Sequence, residues 1–103
     1  MTIVTVFRSR LRAGAQDAYE PVSIEMSRIA SSMEGFIDQK SYVAPDGERV
    51  TIVRFQDQDT QRAWRQHPEH VAAQKRGRAE FYSWYDISVG EETHGHVFES
   101  PGG

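Results

Sequence analysis

The densest group of side chains capable of chemistry lies in one short stretch, Trp64-Arg65-Gln66-His67-Pro68-Glu69-His70. Imidazole has an unperturbed pKa of about 6.5, which suits proton transfer near neutral pH. His67 and His70 are three residues apart, so an unbroken helix would bring their rings close together. Either histidine could therefore act as a general base. The alternative is that His67 caps a helix break at Pro68 and that His70 is a polar residue at the edge of a packed face.

The histidines do not predict a metal site. His67 and His70 have no third ligand nearby in the sequence, and His94 and His96 lie in a glycine-flanked tail. Two histidines without a further carboxylate, histidine or thiolate rarely hold a catalytic ion. The chain has no cysteine, which excludes a thiolate nucleophile and cysteine-ligated zinc or iron–sulfur centres and is compatible with a reducing cytosol.

Several other classes of function lack their sequence signals. There is no Gly-x-Gly-x-x-Gly motif, P-loop or Gly-x-Ser-x-Gly elbow for dinucleotides, nucleoside triphosphates or serine hydrolysis. The net charge is −3 and neither half of the chain is basic, so we expect no nucleic-acid partner. No apolar run approaches the roughly 20 residues of a membrane span, and the start lacks the features of a signal peptide. We therefore expect a cytoplasmic protein with no membrane partner.

The spacing of apolar residues predicts the elements that must position this stretch. Residues 2–10, 36–44, 48–56 and 81–89 show strand-like patterns, and Pro45-Asp46-Gly47 predicts a hairpin turn between the middle two. A stripe from Tyr19 to Met33 predicts a helix that begins near Glu20 or bends at Pro21 and stops at Glu34-Gly35. Asp57 or Asp59 is expected to cap a second helical segment, and Pro68 to begin a third that runs to about Glu80.

The order strand, helix, strand, strand, helix, strand predicts an α+β, ferredoxin-like βαββαβ fold with an antiparallel sheet and its helices on one face. At 103 residues the chain has room for one domain, which we expect at residues 2–90, followed by a flexible tail at residues 91–103. The other face of the sheet needs a cover. In so short a chain, a second copy related by two-fold symmetry is the simplest cover, so we expect a homodimer.

The helix after Pro68 is expected to carry polar groups toward the interior. Steps of 100° per residue place His70, Gln74 and Phe81 along one ridge, with Tyr82 beside it. His70 and Gln74 then lie at the margin of the buried face, where a pocket between helix and sheet could open.

These residues together resemble the antibiotic biosynthesis monooxygenase (ABM) domain family of dimeric α/β-barrel proteins. The resemblance covers about residues 2–90. It is carried by Ile3–Phe7, Met33-Glu34-Gly35-Phe36, Val50–Phe55, Ala63–His70, Gly77-Arg78 and Phe81-Tyr82. It implies a ferredoxin-like subunit that pairs through the open face of its sheet and holds a cavity between sheet and helices.

The resemblance also bears on cofactors. Several relatives oxidise aromatic polyketides with O2 and without flavin, metal or haem, while another branch binds and degrades haem. The haem branch uses an asparagine on the first strand, a tryptophan, and a histidine about ten residues later. Here Trp64 matches, but position 74 is Gln74 and the chain contains no asparagine. We therefore expect no cofactor, with haem disfavoured.

The resemblance implies an oxygenase that oxidises a phenolic or polycyclic aromatic substrate with O2. Because ground-state O2 is a triplet, a substrate must become electron-rich to react without a cofactor, and deprotonating a phenol achieves this. Such a site needs a base, a dry pocket and an aromatic wall. The proposed roles are these: His70 as the base with His67 in reserve, Trp64 as the stacking wall, and Gln74, Arg78 and Tyr82 as polar contacts.

Two other functions stay open at this point. Trp64 could equally be a core residue, and the protein could be a non-catalytic dimer that binds a small aromatic metabolite. A haem-binding or haem-degrading protein is the third and least favoured possibility.

Overall fold

The computed structural model describes residues 1–102. Its elements, in chain order, are strand β1 (Ile3–Leu11), helix α1 (Gln16–Ser32), strands β2 (Phe36–Val43) and β3 (Arg49–Phe55), helices α2 (Gln58–Arg65) and α3 (Pro68–Arg76), a π-helical turn (Gly77–Phe81), and strand β4 (Tyr82–Glu91). The four strands form one sheet in the order β2-β3-β1-β4, and every neighbouring pair is antiparallel. This arrangement confirms the predicted ferredoxin-like α+β fold.

The two faces of the sheet differ in cover. Residues of β1 alternate, so that Ile3, Thr5 and Ser9 are buried beneath the helices while Val4 and Val6 on the opposite face are only partly buried. The helical layer packs on the first face, with α1 against β2 and α3, and α2 against β3. The centre of the core is a cluster of buried residues from both layers: Ala30, Val53, Phe55 and Trp64.

Helix α1 begins earlier than predicted. It starts at Gln16 rather than near Glu20, and Pro21 lies inside it. Proline removes the hydrogen bond to the carbonyl four residues back, here that of Asp17. Both residues are on the exposed side of the helix, where water can bond that carbonyl. The helix therefore continues through Pro21 without burying an unpaired group.

Two glycines and one aspartate mark element boundaries at positions that the sequence predicted. Gly35 has a φ of +83° and turns the chain into β2, and the side chain of Thr60 fills the space that a Cβ would need there. Gly47 has a φ of +90° in the β2–β3 hairpin. Of the two predicted caps, Asp57 is the one used, because its Oδ1 accepts a hydrogen bond from Thr60 N at 2.8 Å.

The chain beyond β4 has no regular secondary structure between Glu92 and Ser100. Its first residue is fixed, since Glu92 N donates to the carbonyl of Thr2 at 2.8 Å. Within residues 1–102, none of the helices combines the length and apolar character needed to cross a membrane.

Candidate active site

A cavity of about 130 Å³ lies between the sheet and the helical layer. Its floor comes from the covered face of the sheet and its roof from α1, α2, α3 and the π-helical turn. The polar and aromatic residues of its wall include Thr5, Tyr19, Gln61, Trp64, His70, Gln74, Tyr82 and Tyr85. On β4, Ile87 and Val89 also line the cavity and are 42% and 44% exposed. The cavity therefore opens to solvent over this edge strand.

Trp64 belongs to the core and to the cavity wall at once. Its indole stacks on Phe55 with ring centroids 5.4 Å apart, and only 8% of the residue is exposed. On another side the indole contacts His70, with centroids 4.5 Å apart and the planes tilted by 56°. The cavity thus has an indole and an imidazole as adjacent parts of one wall.

His70 is held in one orientation by the backbone. Its Nδ1 lies 3.2 Å from the carbonyl oxygen of Arg65. Because a carbonyl only accepts, this contact assigns the ring proton to Nδ1 and leaves the lone pair on Nε2. Burial lowers the pKa of His70 below its ordinary value, the carbonyl contact partly offsets this, and the charge of nearby His67 lowers it further. The imidazole is therefore neutral at pH 7 and can accept a proton at Nε2.

His67 has a different position and a different bond. It is the N-cap of α3, directly before Pro68, and its Nδ1 accepts a hydrogen bond from Glu69 N at 3.1 Å. It is not among the residues that line the cavity. The structure thus separates the two predicted bases by the helix break at Pro68.

Of the three residues predicted as polar contacts, only two line the cavity. Gln74 and Tyr82 line the cavity, whereas Arg78 is exposed and outside the lining. Arg78 reaches the site only through Tyr85, whose hydroxyl accepts from its Nη1 at 3.4 Å. Burial and the neighbouring Tyr19 raise the pKa of the Tyr82 phenol. Tyr82 therefore stays protonated and can donate a hydrogen bond across the usable pH range.

Two buried polar atoms of the cavity wall have no hydrogen-bond partner among the described residues: Thr5 Oγ1 and Trp64 Nε1. Thr5 is 5% exposed and lies on the central strand β1. A buried polar group left unpaired costs about 1–3 kcal/mol, so both atoms are local costs to the stability of the fold. Sequence analysis missed Thr5, because threonine is also an ordinary strand former.

Arg12 is a second residue that the sequence analysis missed. Its guanidinium donates to three backbone carbonyls at the end of the helical segment: Arg78 at 2.9 Å, Ala79 at 3.1 Å and Tyr82 at 2.9 Å. The backbone N–H of Arg12 also donates to Phe81 O at 2.7 Å. These bonds hold the π-helical turn that carries the chain from α3 into β4. Arg12 thereby positions Phe81 and Tyr82, which both line the cavity.

A metal ion and haem are the two cofactors to compare with the residues of this site. Among residues 1–102, no three histidine, aspartate or glutamate side chains are grouped so as to hold a metal ion. A cavity of about 130 Å³ encloses less volume than the about 300–1,000 Å³ of pockets for drug-sized ligands, so most of a haem would have to extend through the opening.

Comparison with known proteins places this site in a family. The family model for antibiotic biosynthesis monooxygenases (ABM) matches residues 2–76. An uncharacterized protein of Bacillus subtilis, YqjZ, is 27% identical over 94 residues, which are 91% of this chain and 82% of that protein.

Two solved structures are similar in fold. Rv0793 from Mycobacterium tuberculosis has a TM-score of 0.84 at 15% identity, over 94% of this chain and 100% of that one. The N63A mutant of SnoaB from Streptomyces nogalater, described as a cofactor-independent oxygenase, has a TM-score of 0.78 at 18% identity, over 91% and 95% of the two chains. Such low identities show a common fold, and the family model covers most of the chain. The chain therefore belongs to the antibiotic biosynthesis monooxygenase family.

Proposed function

We propose that this protein is a cofactor-independent monooxygenase that oxidises a phenolic aromatic substrate with O2. The observation that carries the proposal is the shared cavity wall of Trp64 and His70, in which the neutral imidazole has its lone pair on Nε2. The description of the SnoaB neighbour as a cofactor-independent oxygenase is consistent with this chemistry.

In the proposed reaction, the phenol transfers its proton to His70 Nε2. The resulting phenolate is electron-rich enough to pass one electron to O2, and the two radicals then combine at a ring carbon. Loss of water leaves a ring carbonyl, so one oxygen atom enters the product and the other leaves as water. The overall conversion of a phenol and O2 to a quinone and water balances without an added reductant.

The cavity limits the size of the buried part of the substrate. An apolar cavity of about 150 Å³ holds benzene, so a cavity of about 130 Å³ that is open on one side has room for about one aromatic ring. A polycyclic substrate would have to extend through the opening beside Ile87 and Val89 on β4. Enclosure of the reacting ring by aromatic side chains excludes water and keeps the phenolate reactive.

The direct test is oxidation of a dihydroxyarene such as a dihydroxynaphthalene under ¹⁸O2. The proposal predicts O2 consumption above the spontaneous rate, one labelled oxygen atom in the quinone, and water as the other product. Hydrogen peroxide formed in equal amount to the substrate, with no label in the product, would contradict monooxygenation. Consumption equal to the protein-free control would contradict any oxidase activity on this class.

The second candidate is a binding protein for a small aromatic metabolite. The aromatic cavity wall of Trp64, Tyr82 and Tyr85 favours it, because such a wall suits a flat guest without requiring a reaction. A binding protein would show saturable changes in Trp64 fluorescence with aromatic ligands and no O2 consumption. Turnover of any of those ligands above the spontaneous rate would exclude the purely binding role.

We further propose that a second copy of the chain covers the open face of the sheet. That face carries apolar side chains that the helices leave partly exposed: Val4, Val6, Val50 and Ile52. Arg8 of β1 and Arg54 of β3 provide polar groups in the same strands, and they form ion pairs with Glu48 and Asp38. Sedimentation should show a dimer, and a monomer of 11.7 kDa at micromolar concentration would contradict it. We expect the interface to bury about 1,200–2,000 Å² in total.

A further inference from the structure

Most arginines of this chain have a fixed partner. Of the ten arginines, six form ion pairs with aspartate or glutamate, and Arg12 donates to three backbone carbonyls. Among residues 1–102, three guanidinium groups have neither a carboxylate nor a carbonyl partner: those of Arg49, Arg65 and Arg78.

These three arginines all lie against the cavity. Arg65 is one of its lining residues, and the other two contact tyrosines that line it. Arg49 lies over the ring of Tyr19 at 5.4 Å, and Arg78 bonds the hydroxyl of Tyr85. No aspartate or glutamate of the described chain lines the cavity. The unpaired arginine charge of a protein with a net charge of −3 is therefore gathered around this cavity, where it attracts an anionic guest.

Arg78 and Tyr85 lie beside the opening of the cavity. Tyr85 and Ile87 are neighbours on the covered face of β4, about 7 Å apart along the strand, and Ile87 borders the opening. Arg78 is exposed and Tyr85 is half-buried, so a guest that extends through the opening can reach both. Because Tyr85 accepts from Nη1 of Arg78, its own O–H and the other guanidinium N–H groups remain free to donate.

Arg49 adds positive charge on the other side of the same tyrosine cluster. It pairs with Ser9 from β3 as Tyr85 does from β4, so the two residues share one row of the sheet, about 10 Å apart. Between them, the ring of Tyr82 lies 5.8 Å from that of Tyr19 and 5.7 Å from that of Tyr85. Burial is the main cause of the raised pKa of Tyr82, and the charge of Arg49 opposes it. The guanidinium therefore acts on the hydroxyl groups of this cluster.

We propose that the substrate carries a carboxylate that binds the Arg78 guanidinium and the Tyr85 hydroxyl at the opening. The inference rests on the proposed function, which places the reacting ring beside Trp64 and His70, and it narrows the substrate class to hydroxyaromatic acids. A carboxylate suits this position because it accepts from two donors at once and because hydrogen bonds between charged groups are strong. Arg78 and Tyr85 are then specificity-determining residues, and Arg49 strengthens binding through its charge.

The first test compares 6-hydroxynaphthalene-2-carboxylate with its methyl ester, which has the same rings and hydroxyl group but no charge. In calorimetric titrations without O2 at pH 7, wild-type protein should bind the acid about 10-fold more tightly, as expected for a hydrogen bond to a charged group. Arg78→Gln should lose most of this preference and bind the ester as wild type does. Arg62→Gln is the matched control, because it removes an exposed arginine that is outside the cavity lining, and it should keep the preference.

The second test separates the two donors. Tyr85→Phe removes only the hydroxyl, so it should lower the preference for the acid by about 3-fold. Arg78→Lys keeps the charge but not the planar fork, so its preference should lie between those of wild type and Arg78→Gln. Equal binding of acid and ester by wild type, or a wild-type preference in Arg78→Gln, would overturn the inference.

Failure of the inference is distinguishable from failure of the proposed function. Selective binding of the acid, with no O2 consumption on any dihydroxyarene, would overturn only the oxygenase. Oxidation of a dihydroxynaphthalene by a protein that binds acid and ester equally would overturn only the carboxylate site.

Discussion

His67 and His70 are two residues of the same type in one short segment, and the fold gives them different environments. His67 precedes Pro68 and bonds the backbone N–H of Glu69, outside the cavity. His70 lies one turn later, contacts the indole of Trp64 and bonds the carbonyl of Arg65. One histidine has its Nδ1 as an acceptor and the other as a donor, so the lone pair available for chemistry remains only on His70.

The comparison shows that a helix break can separate two residues that the sequence places together. An unbroken helix would align both rings on one face. Because Pro68 begins a new helix, His67 becomes a cap and its side chain turns to the backbone. Proximity in sequence therefore predicts which segment offers candidate bases, but not which of the two histidines lines the cavity.

The largest expected difference between the two histidines is in turnover. His70→Ala removes the proposed base and should lower O2 consumption with a dihydroxynaphthalene by about 10²- to 10⁴-fold. His67→Ala should stay within about 3-fold of wild type. Equal losses in the two variants, measured with an oxygen electrode at pH 7, would remove the distinction between base and cap.

A smaller effect is expected from replacing Arg12, which holds the π-helical turn beside the cavity. Arg12→Ala removes three guanidinium–carbonyl bonds from the π-helical turn, and it should lower the free energy of unfolding by about 2 kcal/mol. Turnover should fall with it, because Tyr82 is no longer positioned. Arg12→Lys retains the charge but not the three-way geometry, so urea titration should show an intermediate loss. Wild-type stability in Arg12→Ala would show that other contacts hold the turn.

His67 should matter for stability rather than for activity. His67→Ala removes the side-chain cap of α3 and should cost about 1 kcal/mol, as for other N-cap replacements. In a domain of this size that corresponds to a fall in Tm of about 4–8 °C. His67→Asn supplies another good cap and should restore most of it. A calorimetric Tm unchanged in His67→Ala would contradict the capping role.

The smallest expected effect is the pH dependence of stability that His70 confers. The pKa of His70 is lowered by burial, so the unfolded chain takes up its proton near pH 6.5 and the folded protein only at lower pH. Its contribution to stability is therefore complete above about pH 6.5 and declines as the pH falls below that value. His70→Gln should reduce this slope in urea titrations between pH 7 and pH 5, and an unchanged slope would contradict the lowered pKa of His70.

Local signals made much of the fold predictable. The hairpin around Gly47, the cap at Asp57 and the start of α3 at Pro68 each depend on residues within a few positions of one another. The cavity beside Trp64 and His70 also followed from the family resemblance and the helical spacing.

The missed residues depend on contacts between distant parts of the chain. Arg12 bonds the carbonyl of Tyr82, 70 positions away, and nothing local to Arg12 indicates that turn. Thr5 has the pattern of any strand residue, and only the packing of helices over the sheet shows that its hydroxyl is unpaired. Local sequence patterns do not predict the role of a side chain when that role depends on contacts between the sheet and the helical layer.

The ionisation state of a bound phenol tests the central claim most directly. We would bind 4-nitrophenol, whose phenolate absorbs at longer wavelength than the neutral form, one pH unit below its own pKa. We expect a larger phenolate fraction for the bound probe in wild type and in His67→Asn than in His70→Gln. Equal phenolate fractions in all three proteins, or a loss confined to His67→Asn, would contradict proton transfer to His70 in this cavity.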